Sequence, residues 1–287
     1  MEAVLPDRIE KAVQDYITHA GHRITVPHLE REIARREACP RPLVRSALRG
    51  LIDKEVLEYR YSSGQSYIAL SFRRPVDVSP RFTIVPPGCH RFQSQERIPI
   101  VIAPGSAFGD GRHPTTRLAL KGLEIGWHFL DPQGIELNPA VIDIGTGTGA
   151  LAIAAASLGA GHVTALDTDA CARAEACQNV RLNPAAERVA VVNHPLSSIN
   201  VAFDLIMANL RLPTLVQTGN WMKSHLKCTG CLLVSGCREE EWSQLVNAYA
   251  GMGLQCRWYE TLTGWAGGLF RFSTLPSSDP TSEMPLV

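Results

Sequence analysis

Ala140-Val141-Ile142-Asp143-Ile144-Gly145-Thr146-Gly147-Thr148-Gly149, continued by Ala150-Leu151-Ala152-Ile153-Ala154-Ala155-Ala156, decides the fold. The apolar, β-branched opening reads as a buried strand. Three glycines then allow a sharp turn, because a residue without Cβ reaches positive φ and lets its backbone press against a neighbour. The small apolar run that follows reads as a buried helix whose first amides face the turn. Strand, glycine turn and helix are the first half of a βαβ unit. In open α/β sheets, ligands bind at the carboxyl ends of the strands, where strand order reverses.

Working outward, further strands are expected at 163–167, 188–193, 203–210 and 230–235, then a helix around Trp242 to Tyr249, then a closing pair at 254–259 and 268–272. This alternation predicts an α/β, Rossmann-like sheet, mainly parallel with a C-terminal antiparallel strand, over residues 138–274. Residues 75–137 read as a connector. It holds short strands at 82–85 and 98–102, a turn at Pro86-Pro87-Gly88, and a helix opened by Pro114 and carrying Leu118, Leu120 and Leu123. Residues 1–74 differ in kind. Ile9, Val13, Tyr16 and Ile17 follow helical spacing up to Gly21, and a second helix is expected from Val26 to about Ala38. A third carries Val44, Ala47, Leu48 and Leu51 on one face. Two strands, 56–61 and 65–70, flank Ser62-Ser63-Gly64. Three helices and a hairpin resemble a winged helix-turn-helix module. Residues 275–287 have little to bury and are expected to be a disordered tail.

Composition narrows the function classes. The 287 residues suit about two domains. They are 45% hydrophobic and 20% charged, enough to build a core. Twenty-eight basic and twenty-eight acidic side chains cancel, which argues against a chain whose main task is coating nucleic acid or anionic membrane. No apolar run is long enough to span a membrane. The first residues, Met1 to Asp7, lack an apolar leader. Together with eight cysteines in a chain too large to need staples, this leads us to expect a cytoplasmic protein with reduced thiols. Cys228-x-x-Cys231 with Cys237 lacks a fourth ligand and a second pair, so no metal is expected. Arg41, Arg45 and Arg49 form a stripe on the third helix. It is either a possible nucleic-acid face or, more in keeping with the module's small basic surplus, a solvated or protein-docking one.

The turn itself suggests the ligand. Gly145, Gly147 and Ala150 satisfy a loose dinucleotide fingerprint, which alone is weak and leaves an NAD-dependent dehydrogenase open. Asp143, however, sits just ahead of the first glycine. A carboxylate there would repel a pyrophosphate and suits a ligand carrying positive charge, such as S-adenosylmethionine with its ammonium and sulfonium. Asp167 ends the next strand and can accept both ribose hydroxyls, a device shared with NAD folds. Asn209 ends the fourth strand, where a transferred group should lie, and its amide can accept from an amine.

Three segments together carry a resemblance: Ala107-Phe108-Gly109-Asp110-Gly111-Arg112-His113-Pro114-Thr115-Thr116, then 141–149, then 204–209. They resemble the PrmA family, class I methyltransferases that use S-adenosylmethionine to methylate amino groups of a ribosomal protein, L-eleven. The likeness runs from about residue 80 to 273. It implies that Thr116 and Gly145 contact the cofactor, with Asp143, Thr146, Gly147 and Gly149 in the same turn. It further implies that Asp167 holds the ribose and that Asn209 lies at the methyl-transfer site. His113 matches a family histidine and is a second catalytic candidate. The expected activity is methyl transfer to lysine or an N-terminal amine of a protein such as a ribosomal protein. The alternatives are a small-molecule or nucleic-acid methyltransferase, or a DNA-binding regulator that senses S-adenosylmethionine. Two departures stand out. Asp110 replaces the family's threonine, either to attract a cationic acceptor or to face solvent. The winged-helix-like segment replaces the family's usual N-terminal domain.

Overall fold

In the computed structural model, the described residues are 5–18, 20, 23–62, 64–71, 73–89, 92, 96–130 and 138–273. The expected tail and the expected helix stop at Gly21 lie outside them.

The first module contains α1 (Leu5–Thr18), α2 (Val26–Arg36), α3 (Arg41–Asp53), β1 (Leu57–Ser62) and β2 (Gln65–Leu70). Prolines near the first turns of α2 and α3 preset φ where no amide is required. Helix α2 ends two residues sooner than its pattern suggests. Ala38 takes a left-handed φ of 49°, which turns the chain into α3. Ile9, Val13, Leu29, Ile33, Val44, Leu48 and Leu51 meet Leu57 and Ile68 of the hairpin in one core. Each such buried side chain contributes roughly 1.5–3 kcal/mol. An isolated antiparallel bridge from Ile24 to Ile68 ties the chain before α2 to the two-stranded hairpin. Strand alternation divides the hairpin. Leu57 and Leu70 face the helices, whereas Glu58, Arg60, Tyr67 and Ala69 face the other way.

The 75–137 segment contains β3 (Val76–Asp77), β4 (Phe82–Val85) and β5 (Ile98–Val101) as a three-stranded sheet, then α4 (Pro114–Leu130). Its Phe82, Ile84 and Ile100 share a core with α4 and the large sheet, so this segment packs as part of the same body as that sheet. The two-residue β3 escaped the sequence reading because so short a strand shows no period.

The large sheet is built from β6 (Ala140–Ile144), β7 (His162–Leu166), β8 (Val189–Val192), β9 (Phe203–Asn209), β10 (Leu226–Arg238), β11 (Leu254–Leu262) and β12 (Trp265–Phe272). Between them run α5 (Ala150–Ser157), α6 (Ala170–Arg181), α7 (Leu212–His225) and α8 (Trp242–Gly251). The strand order is β11-β12-β10-β9-β6-β7-β8. Pairs among β10, β9, β6, β7 and β8 are parallel, and β12 runs antiparallel to both β10 and β11. Alternate residues serve opposite layers. Val141, Leu205 and Leu233 pack toward α4 and α5, while Ile142, Ile206 and Val234 pack toward α7 and α8. β6 lies between β7 and β9, so the chain leaves it in both directions and the reversal point is at the end of β6. Among the described residues, no helix is long and apolar enough to cross a membrane.

Candidate active site

The carboxyl ends of β6, β7 and β9 are level, because Ile144 pairs with both Leu166 and Ala208. This register gathers the glycine turn, Asp167 and Asn209. Helix α4 is tied over the same edge by a hydrogen bond of 3.0 Å from Ser235 Oγ to the Thr115 carbonyl, and Ser235 pairs with Asn209. The residues expected from the sequence to form a site therefore come together.

Every amide of the turn is occupied. Gly145 and Thr146 both donate to the Leu166 carbonyl (2.8 and 2.9 Å), and Gly149 donates to Thr146 (2.9 Å). Gly147 donates to Asp167 Oδ2 (2.9 Å), and Thr148 to the Phe108 carbonyl (2.9 Å). A pyrophosphate cradle needs such amides free, so the dinucleotide reading loses its chemical basis. Gly147 has φ +55°, and a Cβ there would lie 2.1 Å from the Phe108 oxygen. Only glycine admits this closure of the 107–109 loop over the turn.

Asp143 is 1% exposed and lies beneath the turn. Its Oδ2 accepts from Thr146 Oγ1 at 2.6 Å, while Oδ1 has no hydrogen-bonding partner. Burial pushes its carboxyl up to about 7. The Thr146 bond and the nearby Ala152 amide oppose that rise, and the Asp167 charge adds to it. Asp167 is half-buried, and its Oδ1 accepts from the Asp169 amide at 2.9 Å. Each oxygen thus uses one backbone donor and keeps acceptor capacity for hydroxyls. Thr116 Oγ1 and Asn209 Oδ1 are buried and unpartnered. Buried polar atoms in native proteins are nearly always satisfied, so orphans at one sheet edge call for a polar ligand. This donor and acceptor set, an acid for a diol beside a turn with no free amides, fits S-adenosylmethionine.

His113 sits between Phe108 (ring centroids 5.1 Å apart) and Trp265 (4.7 Å, edge-on), with Nδ1 2.8 Å from Thr115 Oγ1. Burial lowers its pKa, as does Arg238, while Asp110 opposes. Arg238 itself lies 3.9 Å over the Trp265 ring. Asp110 does not stand free as a cation trap or simply face water. It pairs with Arg112, whose Nη2 also reaches Glu58 Oε1 of β1 at 3.5 Å. Glu58 in turn holds Arg60 at 2.7 Å.

Sequence reasoning missed the scaffold behind these residues. Glu175 on α6 accepts from the Ser106 amide and hydroxyl (both 2.8 Å) and the Ala107 amide (2.9 Å). Burial would raise its pKa, but these bonds outweigh it and lower the value. Asn179 accepts from the Ala103 amide and donates to the Thr148 carbonyl (both 2.9 Å), tying the loop to the turn. Asn183 grips Val101 through both its amide groups. The signal was available for two of them, since 175 and 179 lie four residues apart on α6 and share one helical face, whereas Asn183 lies just past its end.

Two other sequence features separate. Cys231 and Cys237 enter opposite layers of the sheet, and burial pushes both thiols up to about 11. Arg45 is bound through two nitrogens to Glu30 (2.7 and 2.9 Å), which removes the middle of the arginine stripe.

Residues 69–271 match the family described as Ribosomal protein L11 methyltransferase (PrmA). The chain belongs to that family. It is 36% identical over 185 residues to the ribosomal protein L11 methyltransferase of Geotalea uraniireducens, covering 63% of this chain and 59% of that protein. It is 37% identical over 199 residues to the one from Pelobacter propionicus, covering 69% and 63%. The crystal structure of ribosomal protein L11 methylase from Lactobacillus delbrueckii subsp. bulgaricus superposes with TM-score 0.60 at 28% identity, over 69% of this chain and 98% of that one. The chain thus spans about three fifths of the length of these curated PrmA relatives. The PrmA match begins inside β2, leaving the three helices and β1 outside it.

Proposed function

We propose that this chain is an S-adenosylmethionine-dependent methyltransferase that modifies an amino group of a protein, with a ribosomal protein as the leading acceptor. The observation that carries this reading is the edge where Thr116 and Asn209 leave buried oxygens unpartnered beside a turn whose amides are all occupied. PrmA family membership and the relatives' names support the acceptor class.

When bound, S-adenosylmethionine supplies a methyl group on a positively charged sulfur. The chain's own residues bind and align. Asp167 accepts the ribose hydroxyls, the 145–149 turn forms the floor, and Thr116 closes the side under α4. Asn209 Oδ1 accepts a hydrogen bond from the acceptor amine and so fixes the direction of its lone pair. Such positioning is worth several kcal/mol of barrier. A lysine must arrive neutral to react. Asp110 would oppose this if free, but Arg112 offsets its charge. Arg238 already lowers the pKa of His113, and the same positive field favours a neutral amine. His113, packed between two rings, serves as a wall of the acceptor passage.

The test is labelled-methyl transfer to large-subunit ribosomal proteins, followed by mass spectrometry of the product, with calorimetry against S-adenosylhomocysteine and NAD. Asn209→Ala should retain S-adenosylhomocysteine binding and lose turnover, whereas Asp167→Ala should lose binding. Equal loss of binding in both variants, or heat with NAD alone, defeats the assignment.

A further inference from the structure

One cavity of the molecule is distinct from this edge. It is about 960 Å³ in volume and lies between the N-terminal module and the three-stranded sheet. Its walls include Gln14 and Thr18 of α1, Pro86 and Pro87 after β4, and three arginines: Arg73, Arg74 and Arg117. Arg117 follows Thr116 on α4. It is half-buried, and its Nε donates to the Gly111 carbonyl at 2.9 Å. No carboxylate among the described residues lies within ion-pair distance of it. Burial lowers its pKa, and the one acid that acts in the other direction, Asp110, is already bound by Arg112. A desolvated guanidinium without a counter-charge is costly unless an anion completes it. At the mouth, Arg74 Nη1 donates to the Lys54 carbonyl (2.7 Å), and Arg73 makes only a long contact with Glu55 (3.9 Å).

We infer that this cleft is an oxyanion site in which Arg117 and the two arginines at the mouth receive a single carboxylate, supplied by an acidic side chain of the protein acceptor. Glu55 and Asp77 also line the cavity. They would repel the continuous charge of a nucleic-acid backbone yet tolerate one carboxylate, so an acidic peptide is the better occupant. Arg117 also holds the carbonyl of Gly111, two residues before His113. A filled cleft would therefore steady the loop that walls the acceptor passage. That the carboxylate belongs to the acceptor rests on the methyltransferase reading; the anion site does not.

The experiment uses the full chain without cofactor. A blocked tetraglutamate peptide, inorganic phosphate and a short single-stranded DNA are each titrated by calorimetry. The peptide should bind, phosphate should compete with it, and Arg117→Gln should weaken both by about tenfold or more, the scale of losing one charge-assisted fork. Arg117→Lys should fall between, because charge remains and the fork does not. Arg74→Gln should weaken the peptide while leaving S-adenosylhomocysteine affinity unchanged, which keeps the test valid if the Arg117 variants fold poorly. Phosphate binding that Arg117→Gln weakens, with no peptide binding, supports the same oxyanion site filled by a free anion and overturns the acceptor's carboxylate. DNA binding tighter than peptide and lost in Arg117→Gln overturns the peptide. Affinities for all probes that none of the three variants changes overturn the site. Peptide binding alongside absent S-adenosylhomocysteine binding would sink the methyltransferase reading and leave the site standing.

Discussion

Asp143→Asn is a test of the electrostatics under the turn. The side chain is fully buried, and its carboxyl titrates near 7 in the fold, against 3.8 when unperturbed. A raised folded pKa means that the native state holds a proton which the unfolded chain has already released. The associated stability is fully present below about pH 4 and is lost as pH rises through about 7. The difference spans about three pH units, or about 4 kcal/mol in all at ~1.4 kcal/mol per unit. Between about pH 5 and pH 9, the ligand-free protein should lose about 3 kcal/mol from this group alone. Asparagine can still accept from Thr146 Oγ1 and carries no titrating proton. Urea unfolding of both proteins at about pH 5, 7 and 9 isolates the effect, since all other groups cancel in the difference. The variant should gain on the parent as pH rises and level off above about pH 8. A difference that stays constant across the range would mean that Asp143 is ionised throughout, and the account of the turn would be wrong.

Gly147→Ala must hold a left-handed φ, at about 1 kcal/mol. It must also push the Phe108 carbonyl away from its Cβ, weakening the Thr148 hydrogen bond by about another 1 kcal/mol. S-adenosylhomocysteine affinity, read by calorimetry, should fall by about tenfold or more. Glu175→Ala frees Ser106 and Ala107, so their amides should exchange hydrogen faster while those of β6 stay protected. Leu48→Ala, at a position 1% exposed, should destabilise the N-terminal module by roughly 2–5 kcal/mol in a denaturation experiment. Lowering the pH through about 6.5 should cost stability through His113, because its folded pKa is depressed and the unfolded chain takes up the proton first. His113→Gln should lose that acid limb.

The large sheet was legible because its strands are apolar on both faces and end at glycine or acidic turns. The Asp143-to-Gly149 run fixed the reversal point, and Asp167 and Asn209 fell level with it through strand register. Less was legible where contacts join segments distant in sequence. The 75–137 segment reads as a connector because its short strands show no period, yet Phe82 and Ile100 complete the core under α4. Asp110 looked like a free carboxylate because its partner Arg112, although only two residues away, is placed by Glu58 from the other module. The stripe of Arg41, Arg45 and Arg49 looked uniform because Glu30, which holds Arg45, lies on a different helix.

The chain of charges Arg60–Glu58–Arg112–Asp110 crosses from the hairpin to the histidine-bearing loop. Its ends belong to different modules, so neither half can be exchanged for a foreign one without leaving the loop under-braced. A chimera carrying an unrelated head would have to bring an acid to the place of Glu58.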